Sequence, residues 1–509
     1  MKGIISSIKE FYNPPRHPDY KSKPIPISRD IQANIKTLQE MFDNSSDLTI
    51  KNISLKLSDG RTQVAVITME GLVDKETLAA SITNPISNYS DIVFGGEDLF
   101  QLLQSDIITC SDHVDVSDIN EFSRLIMSGF AGVLVNGANK AIAVGVQGYS
   151  FRNVSEPDTE SVQRGSREGF VEPMRVNISM IRRRLRTPML KFETMTLGKT
   201  SNTDICICYL RGAVSCEILT KLRARLKKTD LNTLFASGYL LAYIDDNGDN
   251  TLFPTVGVTE RPDTACAKLC EGRIVIIVDG TPSVLYVPHL MTENFQTFDD
   301  YTNRPFFSSV ARALKCVSFF TAILLPGIYV AFASFNPEFF PAQLLTKVSQ
   351  SVSHTPFSVF SEVLLFTFIY EIMREAGLRL PKTLGHAVSI IGGLVIGDTA
   401  VNSGFIGAPT LMIVALTVIC SYIIPDLYAS VAMLRVLFIL AAGAFGIWGI
   451  IVMLCVLLTY LSSMSSYGIP FFAPAAPLSM FSMRDTIIRA SWSTLSRRNV
   501  KVQDIPSPK

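Results

Sequence analysis

Apolar positions along the 509 residues change their period between the two halves of the chain. Up to about residue 300 the apolar runs are short and bounded by turn residues. VAVITMEGLVD (64–74) predicts a strand and then a turn. AGVLVNGANKAIAVGV (131–146) predicts a hairpin around Asn136-Gly137, a pair suited to the left-handed backbone of a tight turn. In SREGFVEPMRVNISMIRRRLRTP, Phe170, Met174, Ile178, Ile181 and Leu185 fall at helical spacing. Pro173 is tolerated in that helix's first turn and Thr187-Pro188 stops it. TDICICYL (203–210) and GRIVIIVDG (272–280) read as buried strands, with SCEILTKLRARLKK (215–228) a helix between them. That alternation predicts an α/β unit.

From residue 316 the runs lengthen. CVSFFTAILLPGIYVAFASF (316–335) is uncharged over 20 residues and spans roughly 30 Å as a helix, kinked at Pro326. FSVFSEVLLFTFIYEIMREAG (357–377) is apolar but carries Glu362, Glu371, Arg374 and Glu375. At about 100° per residue Glu362 and Glu371 point to opposite sides, so protein must enclose this helix or it must lie at the interface. SIIGGLVIGDTAVNSGFIGAPTLM (389–412), PTLMIVALTVICSYIIP (409–425) and VLFILAAGAFGIWGIIVMLCVLLTYL (436–461) follow, the last with Arg435 capping its start. Arg304, Arg312 and Lys315 before the first run place its N-terminal end in the cytosol by the positive-inside rule. Arg374, Arg379 and Lys382 favour a return to that side. Five crossings would leave the tail with Arg484, Arg489, Arg497 and Arg498 outside, against the same rule, so one candidate is interfacial or re-entrant.

The fold class expected is therefore an α/β cytosolic N-terminal region of two subdomains followed by an α-helical polytopic membrane domain. The expected boundaries are an extended tail (1–28) with Pro14, Pro15, Pro18, Pro24 and Pro26, subdomains at 29–160 and 161–300, a transmembrane domain at 301–470, and a basic tail at 471–509. A mean hydropathy of +0.29 agrees with a chain that is part soluble and part embedded in lipid. The N-terminus has no continuous apolar core followed by a small-residue cleavage site, which predicts that the first three hundred residues stay in the cytosol. The nine cysteines are accordingly expected as free thiols.

Net charge is +1, with no basic stripe interleaved with aromatics, which disfavours nucleic acid. Arg182, Arg183, Arg184 and Arg186 form one short basic run, read as a solvated helix end or as a contact for an anionic partner or membrane surface. The acidic loop IDDNGDN (244–250) fails as an EF-hand: Asn250 and Val256 stand where Gly and Glu are required, so a solvated turn is expected. No phosphate-binding loop, nucleophile elbow or zinc-protease helix occurs, and the five histidines are dispersed. No catalytic, metal or cofactor site is expected, and no enzymatic role.

The chemistry that remains lies inside the membrane half. Around 387–406, Gly393, Gly397, Ala400 and Gly404 cluster as a small-residue face for close helix packing. Asp398 and Asn402, with Thr399, Val395 and Leu394, occupy a separate side. An acid facing lipid costs about 3 kcal/mol or more, so Asp398 should face a partner or water. Two readings follow: Asp398 pairs with a buried Arg or hydroxyl inside the bundle, or it lines a hydrated path. In a ring of copies it would favour cations, with Val395 or Leu394 as a constriction that sheds water.

REGFVEPMRVNISMIRRRLRTP (167–188), TERPDTACAKLCEGRIVIIVDGTP (259–282), MREAGLRLPKTLGHAVSIIGGLVIGDTAVNSG (373–404) and YGIPFFAPAAP (467–477) resemble the GerA family of spore germination proteins, specifically the A subunit of nutrient germinant receptors. The resemblance runs in order over about residues 30–480. Ser166, where that family has Pro, is a departure confined to one turn. The resemblance implies a multi-pass protein of the spore inner membrane with its N-terminal domains on the cytosolic (core) side. It implies homo-oligomers that form a nutrient-gated ion channel in contact with membrane lipid. The implied partners are a B subunit resembling amino-acid transporters and a lipoprotein C subunit. A SpoVAF-like paralogous branch, acting with the dipicolinate-release machinery, shares these motifs. From a different class, the chain could be a scaffold that relays signals while a partner conducts. A secondary transporter would need two matching halves with broken helices, which the sequence does not display.

Overall fold

The computed structural model describes residues 24–495 apart from 44, 58–59, 90–95, 111, 149–156, 158–159, 161, 249–250, 354, 381–396 and 480–481. The first half holds two five-stranded sheets. In the first unit, α1 (Ile31–Phe42) precedes β1 (Leu48–Leu57) and β2 (Gly60–Met69); β3 (His113–Val116), α2 (Ile119–Ile126), β4 (Phe130–Val135) and β5 (Ala141–Gly145) follow. The second unit repeats that order: α3 (Met174–Arg184), β6 (Leu190–Leu197), β7 (Thr203–Leu210), α4 (Cys216–Lys228), β8 (Gly257–Thr259), α5 (Pro262–Cys270), β9 (Ile274–Val278) and β10 (Val284–Val287). The strand orders are β1-β2-β4-β5-β3 and β6-β7-β9-β10-β8. Every pairing is antiparallel.

These orders are the same topology used twice. Equivalent strands begin at 48 and 190, 60 and 203, 113 and 257, 130 and 274, and 141 and 284, which are offsets of 142 to 144 residues. Two left-handed glycines keep the same spacing: Gly129 and Gly272, and Gly137 and Gly280, are each 143 apart with φ between 84° and 96°. Gly137 turns the hairpin between β4 and β5, and Gly280 the one between β9 and β10. Only glycine takes that backbone at no steric cost.

Both sheets are covered on both faces, which is why their strands read as continuous apolar runs. In the first, α1 and α2 cover one face with Leu38, Phe42, Phe122 and Ile126, while Ile82, Leu99, Phe100 and Leu103 cover the other. In the second, α3 and α5 pack on Phe192, Val275 and Val284, and α4 packs on Ile207, Ile276 and Leu285. At the start of the described chain, Ile27 N donates to Ser117 O at 3.0 Å and lays the segment along the first unit.

The second half is helical: α6 (Pro305–Ser334), α7 (Ala342–Ser353), α8 (Val359–Arg379), α9 (Gly397–Asn402), α10 (Ala408–Tyr422) and α11 (Tyr428–Ser463), then the two-residue strands β11 (Ser465–Ser466) and β12 (Ile469–Pro470). Among the described residues, two helices are long and apolar enough to cross a membrane, Pro305–Ser334 and Pro425–Ser463. The second is not one rod. Gly446 sits at φ 60°, ψ −140°, and a Cβ placed on Gly449 would meet Ala441 O at 2.1 Å, an approach possible only where the chain doubles back. Both ends also meet Leu252 of the second unit: Ser430 Oγ donates to its carbonyl, and its N–H donates to Tyr460 Oη at 3.0 Å. A straight helix of 36 residues would separate its ends by about 54 Å.

Three expectations change here. The 436–461 run, read as one span, is two antiparallel legs, because glycine at 446 admits a backbone that residues with a Cβ do not take. Arg435 does not cap that helix; it lies two turns inside it and is fully buried. The helix drawn over 387–406 is shown only as Gly397–Asn402, and the chain turns at Gly404 (φ 69°) before α10. Its N-terminal part, with Gly393, Leu394 and Val395, lies outside the described residues.

Candidate functional site

The membrane-half charges singled out from the sequence fall into two buried clusters and one exposed face. Glu362 lies in the first turn of α8 and is fully buried. Its Oε2 accepts from Thr410 Oγ1 at 2.8 Å and from Gly407 N at 3.3 Å, and Tyr329 Oη lies 3.2 Å from Thr410 Oγ1. Two turns on, Glu371 accepts from Tyr428 Oη at 2.9 Å, and Arg435 Nη1 lies 3.8 Å away. Arg435 also donates to Ala322 O at 3.1 Å and to Ser421 Oγ. Arg374 stacks its guanidinium 3.5 Å from the centre of the Tyr428 ring. Glu362 and Glu371 thus point to opposite sides of α8, as their spacing requires, and each finds protein.

Asp398 does not join either cluster. Asp398, Thr399 and Asn402 are exposed on α9, while Gly397 is buried and a Cβ there would meet Leu411 Cδ2 at 3.2 Å. Ala400 and Gly404 are half-buried. The small-residue side therefore faces α10 and the polar side faces away from the other described residues. The surrounding outer surface is apolar: Phe368 and Ile372 on α8, Met412 and Ile419 on α10, and Phe445, Trp448 and Val452 on α11 are exposed.

A joint at the base of α6 had no signal in the sequence. Arg312, fully buried, binds Asp300 (Nε to Oδ2, 3.0 Å), Asp485 (Nη1 to Oδ1, 2.9 Å) and the Thr486 carbonyl at 2.8 Å. Lys315 reaches Asp300 at 3.3 Å. Arg489 donates to Tyr301 O at 3.3 Å. Burial pushes the Asp485 carboxyl up, against the pull of Arg312. Two of the three basic residues before the uncharged run 316–335, Arg312 and Lys315, are consequently paired with acids of the same chain. The segment from 471 is no free basic tail through residue 495: Arg484 and Arg489 are buried, and Phe471 O accepts from Met291 N at 3.0 Å. Nearby, Glu293 is buried, which alone would raise its pKa. Arg273, Lys268 and His289 outweigh that and hold it well below the usual carboxylate range.

The arginine run at the end of α3 is likewise internal. Arg182 grips Asp47 of the first unit through Nε at 2.8 Å and Nη2 at 3.0 Å, and Arg183 and Arg184 bind Glu168. Arg182, Arg183 and Arg184 are thus paired with acids of the same chain rather than solvated or free for an anionic partner, while Arg186 is exposed. In the acidic loop, Asp246 is paired with Arg225 and Lys221 rather than solvated.

The profile described as Bacillus/Clostridium GerA spore germination protein matches residues 36–501. The chain is 35% identical over 474 residues to spore germination protein KA of Bacillus subtilis, covering 93% of this chain and 86% of that protein. It is 28% identical to stage V sporulation protein AF of Bacillus subtilis, covering 74% and 76%. Among solved structures, the N-terminal domain of the A subunit of the Bacillus megaterium spore germinant receptor GerK3 aligns at 27% identity with a TM-score of 0.42, over 53% of this chain and 99% of that one. Of the sequence blocks that carried the resemblance, 167–188 holds Arg182 and its joint with Asp47, 467–477 docks on the second unit, and 373–404 holds the exposed Asp398. The chain belongs to the GerA family of spore germination proteins.

Proposed function

We propose that this chain is the A subunit of a nutrient germinant receptor and that several copies surround a cation-conducting path in the spore inner membrane. Asp398, Thr399 and Asn402 line that path, with Val395 and Leu394 on the same side of the segment. The observation that carries the reading is the exposure of Asp398 in a helical domain whose α8, α10 and α11 present apolar side chains such as Phe368, Ile419 and Trp448 outward. Facing lipid, that acid would cost about 3 kcal/mol or more, whereas a shared watery axis removes the cost and favours cations. Gly397, Ala400 and Gly404 serve as the packing face that holds the segment.

The doubled-back α11 supports an even number of crossings, with both α/β units and the 471–495 segment on one side. The six cysteines of the two α/β units are free, which supports the reducing, cytosolic (core) side for those units. Family membership supports a transporter-like B subunit and a lipoprotein C subunit as partners. The identity of 35% to germination protein KA against 28% to the stage V protein favours the receptor branch. The relay reading has its own support in the Arg312 joint, which ties the second unit to α6.

Reconstitution decides between them. Wild type in a bilayer should pass potassium over chloride, and Asp398→Asn should lower that preference with assembly intact. An unchanged preference and flux would remove Asp398 from the path. A chain that never conducts alone, yet restores potassium release in spores when its partners are present, would favour the relay.

A further inference from the structure

Glu362 is a fully buried carboxylate whose donors all gather on one oxygen: Thr410 Oγ1 and Gly407 N reach Oε2, while Oε1 meets no hydrogen-bond donor among the described residues. Its surroundings explain how charge is tolerated there. Ser358 caps α8 by accepting from Ser361 N, which puts Glu362 in that helix's first turn; Gly407 is the N-cap of α10. The carboxylate thus sits between the N-terminal ends of two helices, of 21 and 15 residues, where exposed N–H groups and aligned peptide dipoles favour an anion.

What Glu362 holds is the turn that carries Asp398. From α9 the chain bends through Ser403–Gly407, with Gly404 left-handed and Phe405 N donating to Ala400 O at 3.0 Å. It is anchored at Gly407, where Glu362 and Thr410 meet. A Cβ on Gly407 would lie 2.8 Å from Ser351 Oγ, so α7 closes the same point. Tyr329 brings α6 in through Thr410. Four helices converge on this turn, and among the described residues Glu362 is the charged partner in its hydrogen bonds.

We infer that Glu362 is the positioning residue for the Asp398 face, fixing where the α9 acid points without touching the ion. The inference rests on the conduction reading for its consequence, though not for its geometry. Glu362→Gln keeps an amide oxygen for both hydrogen bonds; Glu362→Ala keeps neither.

Two measurements on the full chain test this. In bilayers bathed in potassium chloride, Glu362→Ala should lower the cation preference by about 5-fold, and adding Asp398→Asn should change it no further. Glu362→Gln should match wild type. A residue that only stabilised the fold would reduce the number of channels and leave the preference of each one alone. Independently of conduction, a nitroxide is placed at Asp398→Cys in a background where exposed Cys216 and Cys455 are Ser. Its spectrum should sharpen on Glu362→Ala and stay broad on Glu362→Gln. An unchanged spectrum in Glu362→Ala overturns the positioning role even if the channel conducts. A silent wild-type channel with the expected spectra overturns the conduction reading and leaves the positioning role standing.

Discussion

Removing one carboxylate, Asp47, tests the joint between the two sheet units. Arg182 is about as buried as a guanidinium can be, with 1% of its side chain exposed against 3% for Asp47. The pair is bidentate, at 2.8 and 3.0 Å. The remaining donors reach Thr187 O at 3.1 Å, Leu190 O at 3.2 Å and Ser45 Oγ at 3.4 Å, and the Phe192 ring centre lies 4.8 Å from the guanidinium carbon. Asp47→Ala leaves those contacts and takes away the counter-charge. A buried ion stripped of its partner costs about 3–5 kcal/mol, because the desolvation already spent on it is no longer offset.

For a cooperative unit of roughly 250 residues, each kcal/mol moves the midpoint by about 2–4 °C, so the full chain in detergent should unfold roughly 6–20 °C earlier. Replacing both residues with apolar ones, Asp47→Leu with Arg182→Met, should recover most of the loss, since it removes the charge that lacked a partner. Glu97→Ala, which breaks the solvent-exposed Arg29 pair at 3.5 Å, should leave the midpoint where it was. A midpoint for Asp47→Ala within 1 °C of wild type, or a double variant as damaged as the single one, would show that the pair is not the tie between the units.

Gly446→Ala should destabilise the helical domain by about 1–3 kcal/mol, because φ 60° with ψ −140° excludes a Cβ and Phe335 lies 3.1–3.3 Å from where it would sit. An unmoved melting point in detergent would mean that α11 does not reverse there. Glu160, which accepts from Thr259 Oγ1 at 2.7 Å, has its pKa raised by burial from 4.5 to about 7. A raised folded-state pKa gives stability that is complete below the unfolded value of 4.5 and fades as pH rises through 7, by about 3 kcal/mol in all. Tryptic cutting at Arg164 should therefore quicken between pH 5 and 8 and lose that dependence in Glu160→Gln; a flat wild-type profile would refute the linkage.

Much of the first half was legible because its sheets are covered on both sides. Full burial turns strands into plain apolar runs, and 203–210 and 274–278 could be read directly as elements. The duplication was not legible by residue identity, since a buried strand asks for bulk and branching rather than for particular side chains. The trace it left is in the glycines: Asn136-Gly137 and Asp279-Gly280 are the same hairpin turn 143 residues apart, and only backbone conformation forced that match. The arginines were misread for a related reason. Four in a row suggest solvent, yet three of them are held by two acids, Asp47 and Glu168, of which Asp47 lies 135 residues away. Sequence distance hides such partners.

In the membrane half, hydropathy counts residues but not direction, which is why one strong run concealed two legs. The segment GAFGIWG carries the information: Gly443 makes room for Phe360, Gly446 reverses the chain and Gly449 lets the legs touch. Once the reversal is allowed, 18 residues on one side of Gly446 and 17 on the other give legs of about 27 and 25 Å, each close to a bilayer's apolar thickness. Counted as two crossings, the legs would turn the odd number that the charge rule resists into an even one. The same reasoning separates the acids of this half. Glu362 is buried and Glu371 half-buried against hydroxyls and an arginine of the same chain, so each reads as part of the packing. Asp398 is presented outward by a glycine face turned inward, so among the described residues it stays exposed and takes no part in the packing that holds the other two acids.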